Sequence, residues 1–166
     1  MQIVLKHKKV INLLVFSVLI PVLFSGCTDY RGFFAGRFTE NDDSSGLYFF
    51  EMNGRNGEIR KISEFNVGPN PSFFCLDRES NIIYIINEVT EFNGDQGGGL
   101  STFRYETCSG SLKMIGELRI PFGGPCHISL TPEKDYLLIA NYQNASVLAV
   151  RLDENKIPDV ACLVFL

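Results

Sequence analysis

The sequence contains the segment Gly124-Pro125-Cys126-His127-Ile128-Ser129, which after a polar turn continues as Tyr136-Leu137-Leu138-Ile139-Ala140-Asn141-Tyr142. The same pattern occurs earlier, where Asn70-Pro71-Ser72-Phe73-Phe74 leads into Ile82-Ile83-Tyr84-Ile85-Ile86-Asn87-Glu88. The aligned prolines and the aligned asparagines are both separated by 54 residues, so the two copies match without a gap. A repeat of this length is typical of the blades of a β-propeller.

A second element recurs around the first. Residues 46–52 resemble residues 99–105, and residues 145–151 form a third copy. The spacing between copies differs because the middle repeat contains an extra loop at residues 91–98. A turn and a short apolar segment follow each copy, so each repeat is predicted to form four short strands. The pattern therefore predicts an all-β chain, a β-propeller of four-stranded antiparallel blades.

Two continuous apolar runs, at residues 82–86 and 136–140, predict inner strands that are buried on both faces between neighbouring blades. After position 27, no window of eleven residues keeps a helical apolar period. The residues that follow position 27 suffice for about three blades, whereas propellers use roughly four to eight. We therefore expect a partial ring with later blades missing.

The composition favours a globular protein. Of the 166 residues, 45% are apolar and 20% are charged, and the formal net charge is -4. This profile excludes the disordered class, and the absence of a basic cluster in the mature part predicts no nucleic-acid partner. The mature part has a single histidine, His127, and the chain has no Cys-x-x-Cys pair. We therefore predict neither a metal site nor a cofactor.

The N-terminus has the pattern of an export signal. Lys6, Lys8 and Lys9 precede an apolar run at residues 10–24, and Leu23-Phe24-Ser25-Gly26-Cys27 resembles a bacterial lipobox. The prediction is a lipoprotein signal peptide at 1–26, a short tether at 27–32 and a partial propeller at 33–166. Cys27 would carry the lipid and anchor the exported protein to a membrane, on the periplasmic or cell-surface side of a bacterial envelope. The alternative is an ordinary cleaved signal followed by a chance cysteine.

The repeated strings also resemble a known family. Gly124-Pro125-Cys126-His127-Ile128-Ser129, Ala140-Asn141-Tyr142 and the preceding repeat are similar to the seven-bladed lactonase family, which includes propeller-type 6-phosphogluconolactonases and carboxymuconate cyclases. The similarity covers residues 33–152, and family members are more than twice as long as this chain. The resemblance implies that water opens the ring of a sugar-acid lactone in the full-length form. The fragment itself is expected to be inactive.

Four residues are candidates for this chemistry. Ring opening needs a base that activates water and donors that hold the developing oxyanion. His127 is the catalytic candidate, although a lone histidine in a β-protein is often structural. Glu88 and Arg37 are candidates for substrate binding, with a solvated strand end and a salt bridge as their respective alternatives. Asn141 is the third substrate-binding candidate, but its repetition as Asn87 favours a structural hydrogen bond.

A second class of function is also consistent with the sequence. Phosphorylated sugar intermediates are mainly cytoplasmic, so an exported member of the family could act on an unphosphorylated lactone. It could also be a non-catalytic binding or scaffold propeller, since the fold alone does not establish a function. The partners expected from the sequence are a small sugar lactone and, through Cys27, a membrane.

Overall fold

The computed structural model describes residues 30–39 and 45–165, with side chains up to Asp159. The polypeptide forms short strands connected by turns, and these strands are β1 (Tyr30–Gly36), β2 (Leu47–Asn53), β3 (Ile59–Phe65), β4 (Pro71–Asp77), β5 (Ile82–Asn87), β6 (Glu91–Phe92), β7 (Asp95–Gln96), β8 (Gly98–Tyr105), β9 (Leu112–Ile120), β10 (Pro125–Leu130), β11 (Tyr136–Asn141), β12 (Ser146–Leu152) and β13 (Pro158–Phe165). The predicted all-β class is confirmed. No helix in the described ranges has the length and apolar character needed to cross a lipid bilayer.

The strands form three antiparallel sheets of sequential strands. Sheet 1 has the order β1-β2-β3, sheet 2 the order β4-β5-β8-β9, and sheet 3 the order β10-β11-β12-β13. The extra loop of the middle repeat forms a separate hairpin of β6 and β7. Sheets 2 and 3 are thus the predicted four-stranded blades, and sheet 1 contributes three strands from the described residues.

The strand order corrects one expectation about the interior of the ring. The apolar runs predicted to be inner strands form β5 and β11, which are the second strands of their sheets. The first strands, β4 and β10, lie next to each other and form the inner side of the ring. β5 is fully buried because sheets cover both of its faces, whereas an inner strand must leave side chains facing the central space.

The side chains of β5 point alternately into two separate apolar cores. Ile82, Tyr84 and Ile86 pack against sheet 3, whereas Ile83 and Ile85 pack against sheet 1. Successive side chains of a strand point to opposite faces, which explains why the whole run is apolar. Burial of each such side chain contributes about 1.5–3 kcal/mol. The stacking of the three sheets therefore depends mainly on this strand.

One ion-pair cluster joins the turns of sheets 2 and 3. The Lys134 ammonium lies 3.3 Å from Oδ1 of Asp77 and 2.7 Å from Oε1 of Glu79. Burial opposes ionisation of the Asp77 carboxyl, but hydrogen bonds from Ser80 and Lys134 outweigh it and lower its pKa. The buried carboxylate thus stays charged and is paired across the sheet boundary.

The first sheet includes residues on both sides of the predicted domain start at residue 33. β1 begins at Tyr30 because Tyr30, Arg31 and Gly32 pair with β2, so the last three residues of the predicted tether belong to the first sheet. The predicted signal peptide at 1–26 and the lipidation site Cys27 lie outside the described residues.

Candidate functional site

His127 lies on β10, at a position shaped by a β-bulge. The register of β10 against β11 shifts between Pro125 and His127, and the register of β4 against β5 shifts in the same way between Pro71 and Phe73. A bulge bends a strand and changes the direction of the following side chain, and such bulges often occur beside functional sites. The 54-residue repeat therefore reproduces a local backbone distortion as well as a sequence pattern.

The two side chains that follow these bulges contact each other. The rings of Phe73 and His127 have centroids 4.5 Å apart and are tilted by 43°. His127 is exposed, and Phe73 keeps 40% of its surface accessible. An imidazole packed against an aromatic ring is restricted in orientation, and His127 nevertheless stays exposed to solvent. Phe73 carries no chemical signal of its own in the sequence, although the repeat offset aligns it with His127.

A cavity of about 520 Å³ lies at the end of the sheets where β4 and β10 begin. We call it the Glu88 cavity. Its lining includes Phe38, Glu88 and Tyr142. These three residues are at equivalent positions in the three sheets, shortly after the ends of β1, β5 and β11. His127 does not line this cavity. It lies three residues after Gly124, which does line it. That separation corresponds to roughly 10 Å of extended strand.

Glu88 presents an unpaired carboxylate to this cavity. The residue is half-buried, and its carboxylate makes no hydrogen bond or ion pair within residues 30–39 and 45–159. Its backbone is fixed, since its N–H donates to the Asn70 carbonyl at 2.9 Å and its own carbonyl accepts from Asn70 Nδ2 at 3.3 Å. A positioned carboxylate of this kind is suited to accept hydrogen bonds from sugar hydroxyls.

Asn70 and Thr39 form the buried support of the cavity. The Thr39 hydroxyl and N–H both donate to Asn70 Oδ1, at 3.3 and 3.2 Å, and Thr39 Oγ1 accepts from the Asn70 N–H at 2.9 Å. Asn70 has φ of 44°, a left-handed conformation that asparagine tolerates better than most residues. Its repeat partner, Gly124, has φ of 75°. The pairing of Asn70 with Thr39 could not be predicted from the sequence, although the alignment of Asn70 with Gly124 before both prolines indicates a turn.

The repeated asparagines are buried within the sheets. Asn87 donates to the carbonyls of Val67 and Pro69 and accepts from Ser101, so it holds the loop that enters β4. Asn141 is 2% exposed and donates to Ser146 Oγ at 3.3 Å. It does not line the Glu88 cavity. These contacts are structural, and a role of Asn141 in substrate binding stays a prediction.

Arg37, a candidate for substrate binding, lies beside the end of the second strand position of its sheet. Arg37 follows β1, and the pairing of β1 with β2 makes β1 equivalent to β5 and β11. Arg37 is therefore not in an inner strand, because no strand of the described residues occupies the innermost place of sheet 1. Its side chain is exposed, and Nε donates to the Ser45 carbonyl at 3.3 Å. Substrate contact by this residue also stays a prediction.

The structure thus brings the four candidates to one end of the sheets without joining them in one cavity. Glu88 lines the cavity, His127 lies deeper on β10, and Asn141 and Arg37 lie beside the strand ends. Among the described residues, no group of three histidine, cysteine, aspartate or glutamate side chains is placed to hold a metal ion.

This chain is similar to part of several longer proteins. A 6-phosphogluconolactonase from Formosa agariphila is 27% identical over 121 residues, which cover 73% of this chain and 33% of the relative. A crystal structure of a Bacteroides fragilis protein has a TM-score of 0.73 at 21% identity, covering 86% of this chain and 38% of that one. The periplasmic gluconolactonase of Pseudomonas aeruginosa has a TM-score of 0.67 at 22% identity, covering 80% and 37%.

The two solved structures share the fold of this chain. The chain spans about a third of the length of the curated relatives it matches. Residues 32–163 match the family described as lactonase, 7-bladed β-propeller, and this region contains almost all the sheets described above. The chain therefore belongs to the seven-bladed β-propeller lactonase family.

Proposed function

We propose that this protein, in a form that carries the remaining blades of the ring, hydrolyses a sugar-acid lactone. The observation that carries the proposal is the accessible imidazole of His127, held against Phe73 on a bulged inner strand of a lactonase-family propeller. The 6-phosphogluconolactonase from Formosa agariphila is similar over most of the chain, which supports an aldonolactone as the substrate class.

The proposed reaction uses His127 as a general base. Its neutral imidazole takes a proton from water as the water oxygen attacks the lactone carbonyl carbon. The resulting tetrahedral oxyanion collapses, the bond between that carbon and the ring oxygen breaks, and the imidazolium returns the proton to the ring oxygen. The products are the free acid and its hydroxyl. Glu88 would accept hydrogen bonds from the sugar hydroxyls at the mouth of the ring.

The isolated chain is expected to lack this activity. It spans about a third of its curated relatives, so most of the ring that would enclose a substrate comes from other blades. Purified residues 28–166 should therefore raise the rate of lactone hydrolysis no further than buffer does, as followed in a pH-stat with glucono-1,5-lactone and 6-phosphogluconolactone. Measurable catalysis by these residues alone would show that three blades suffice.

The competing function is a non-catalytic exported binding propeller. An assay of lactone hydrolysis by a form with the remaining blades distinguishes the two proposals. A hydrolase converts the lactone to the acid, whereas a binding protein only binds it. If this form binds both lactones without hydrolysing them, the hydrolase proposal is wrong and the protein is a binding propeller. The exposed His127 favours the hydrolase.

We also propose that the protein is exported and anchored through a lipid on Cys27. The proposal is supported by Leu23-Phe24-Ser25-Gly26-Cys27 after the apolar run, and the fold is shared with a periplasmic gluconolactonase of Pseudomonas aeruginosa. Cys27→Ala should move the protein from the membrane fraction to the soluble or precursor fraction and abolish palmitate labelling in a bacterial host.

A matched control for this experiment is Cys108→Ser. Cys108 is an exposed free cysteine in the turn between β8 and β9, so its substitution should leave both labelling and membrane association unchanged. Palmitate labelling that persists in Cys27→Ala, or a mature N-terminus without lipid, would favour the ordinary cleaved signal.

A further inference from the structure

The first strand begins close to the proposed lipid anchor. Only Thr28 and Asp29 separate Cys27 from Tyr30, the first residue of β1. An extended chain advances at most about 3.6 Å per residue, so a lipid on Cys27 would hold the start of β1 within roughly 11 Å of the bilayer surface. The surface around Tyr30 is therefore the part of the three sheets that such an anchor brings nearest to lipid.

β1 runs from this end of the sheets toward the Glu88 cavity. Tyr30 pairs with Asn53, beside the turn that joins β2 and β3, whereas Phe38 follows β1 and lines the cavity. The distance along the strand from Tyr30 to Gly36 is about 20 Å, at about 3.4 Å per residue. The strand therefore places the cavity at the end of the sheets that lies farther from the anchor.

The end of sheet 1 at the start of β1 combines apolar and cationic side chains. We call it the β1-start patch, and its members are Tyr30, Arg31, Arg55, Ile59 and Arg60. All five residues are exposed, and Ile59 keeps 55% of its surface accessible. Tyrosine and arginine have an apolar body and a polar end, which suits the boundary between lipid headgroups and acyl chains.

The pairing of the three strands brings the members of the patch together. Met52 on β2 lies opposite Arg31 on one side and Ile59 on the other. The Arg60 guanidinium lies over the Tyr30 ring, 4.5 Å from its centroid. This cation–π contact holds an aromatic surface and a charged group at the same place. An arginine fork can also donate two parallel hydrogen bonds to a phosphate, the anionic group of a phospholipid.

The charges at this end differ between sheet 1 and sheet 3. The three arginines of the patch are balanced by Asp29, by Glu58 and by Glu51, which pairs with Arg60 at 2.6 Å. At the same end of sheet 3, the turns at residues 131–135 and 153–156 contain four carboxylates and two lysines. An anionic lipid surface therefore repels sheet 3 and tolerates sheet 1, which tilts an anchored molecule toward the patch.

A weak contact is enough to orient a tethered protein. The patch is small and nearly neutral, so it would not hold a free molecule on a membrane. A short tether, however, keeps it beside the surface at an effective concentration of roughly millimolar. Contact with the lipid is then an intramolecular step, and a modest preference for one side of the molecule decides the orientation.

We propose that the β1-start patch lies on an anionic phospholipid surface when Cys27 is attached there, and that the Glu88 cavity opens toward the aqueous compartment. The proposal rests on the proposed lipid anchor and is independent of the lactonase activity. A substrate would reach the cavity from solution, without passing through the lipid headgroups.

Tryptophan fluorescence tests this orientation, because the chain contains no tryptophan. Residues 27–166 are coupled through the Cys27 thiol to vesicles with a maleimide lipid, so the result does not depend on lipidation in cells. Each variant carries Cys108→Ser, which removes an exposed thiol, and Cys27→Ser should abolish the coupling. The vesicles contain phosphatidylcholine, about one third phosphatidylglycerol and a lipid with a nitroxide on its headgroup, which quenches nearby indole rings.

Three variants with a single tryptophan report on three places. Ile59→Trp lies in the patch, Tyr136→Trp lies at the same end on sheet 3, and Tyr142→Trp lies in the lining of the Glu88 cavity. All three positions are exposed, so these substitutions should not disturb folding. Side chains at a lipid interface lie within about 5–10 Å of the headgroup boundary, so the nitroxide should quench at least about half of the Ile59→Trp emission and much less of the other two.

Arg31→Glu tests the role of the patch charges. It gives the patch the same excess of carboxylates as the turns of sheet 3, so quenching of Ile59→Trp should fall to the level of Tyr136→Trp. Arg119→Glu is the matched control, because it makes the same charge change at an exposed arginine near the cavity end of β9. It should leave the quenching unchanged. Vesicles without phosphatidylglycerol should reduce the difference between Ile59→Trp and Tyr136→Trp.

Three results would overturn the proposal. Equal quenching of Ile59→Trp and Tyr136→Trp would show that the anchored protein has no preferred side. Quenching that is strongest in Tyr142→Trp would show that the cavity faces the lipid. A quenching of Ile59→Trp that Arg31→Glu leaves unchanged, or that Arg119→Glu lowers equally, would show that the patch does not contact anionic headgroups.

Discussion

His127→Ala, in a form of the protein that carries the remaining blades, is expected to lower kcat for lactone hydrolysis at least about a hundredfold. General base catalysis by a positioned side chain contributes roughly 10²–10⁴ in rate, and alanine removes the only imidazole in the sequence of residues 28–166. The substitution should leave folding intact, because the His127 side chain is exposed and its main described contact is the ring of Phe73. A pH-stat assay with 6-phosphogluconolactone measures the loss, after subtraction of spontaneous hydrolysis.

The control for this experiment is the neighbouring residue on the same bulge. Cys126 points its thiol to the Ala140 carbonyl at 3.5 Å, a contact that a serine hydroxyl can also make. Cys126→Ser should therefore change kcat less than about twofold relative to the unsubstituted protein. This variant alters a side chain at the bulge but keeps the imidazole of His127. Unchanged turnover in His127→Ala would remove this residue from the mechanism. An equal loss in both variants would assign the effect to the bulge.

Tyr84→Ala is expected to destabilise the purified chain by about 3–5 kcal/mol, the cost of truncating a large buried aromatic side chain. Tyr84 is fully buried on β5 between sheets 2 and 3, and its hydroxyl donates to the Lys156 carbonyl at 2.8 Å in a turn of sheet 3. Burial raises the pKa of this hydroxyl, so it stays protonated and remains a donor. Tyr84→Phe should cost about 1–2 kcal/mol, because the Lys156 carbonyl loses its buried partner. Urea denaturation followed by circular dichroism measures both changes.

Leu138 provides a control at the same place in the repeat. It is aligned with Tyr84 at the 54-residue offset, but no described sheet covers its face of β11, and it is 40% exposed. Leu138→Ala should therefore cost less than about 1 kcal/mol. If Leu138→Ala destabilises the chain as much as Tyr84→Ala does, sheets 2 and 3 cannot be stacked as described.

The blade repeat could be predicted from the sequence because it depends on local patterns. Alternation, turn residues and the offset between Pro71 and Pro125 mark the strands and their equivalence. The order of strands within a sheet could not be derived in the same way. A continuous apolar run shows that both faces of β5 are covered, but it does not show that β4 lies nearer to the ring axis.

The candidate site was predicted only in part. His127 and Glu88 could be named as candidates because chemically reactive residues at predicted strand ends are visible in a sequence. Phe73 and Asn70 were missed because their importance comes from contacts, one with a ring 54 residues away and one with Thr39 across 31 residues.

The sequence by itself determined that this protein is all-β, that it repeats as blades and that it resembles a lactonase, because these properties follow from periodicity and from short strings of neighbouring residues. Only the tertiary structure decided which strand lies innermost and that Phe73 lies against His127. The physical reason is that non-local contacts depend on how twisted sheets stack and where bulges redirect side chains, and single-sequence patterns do not encode those distances.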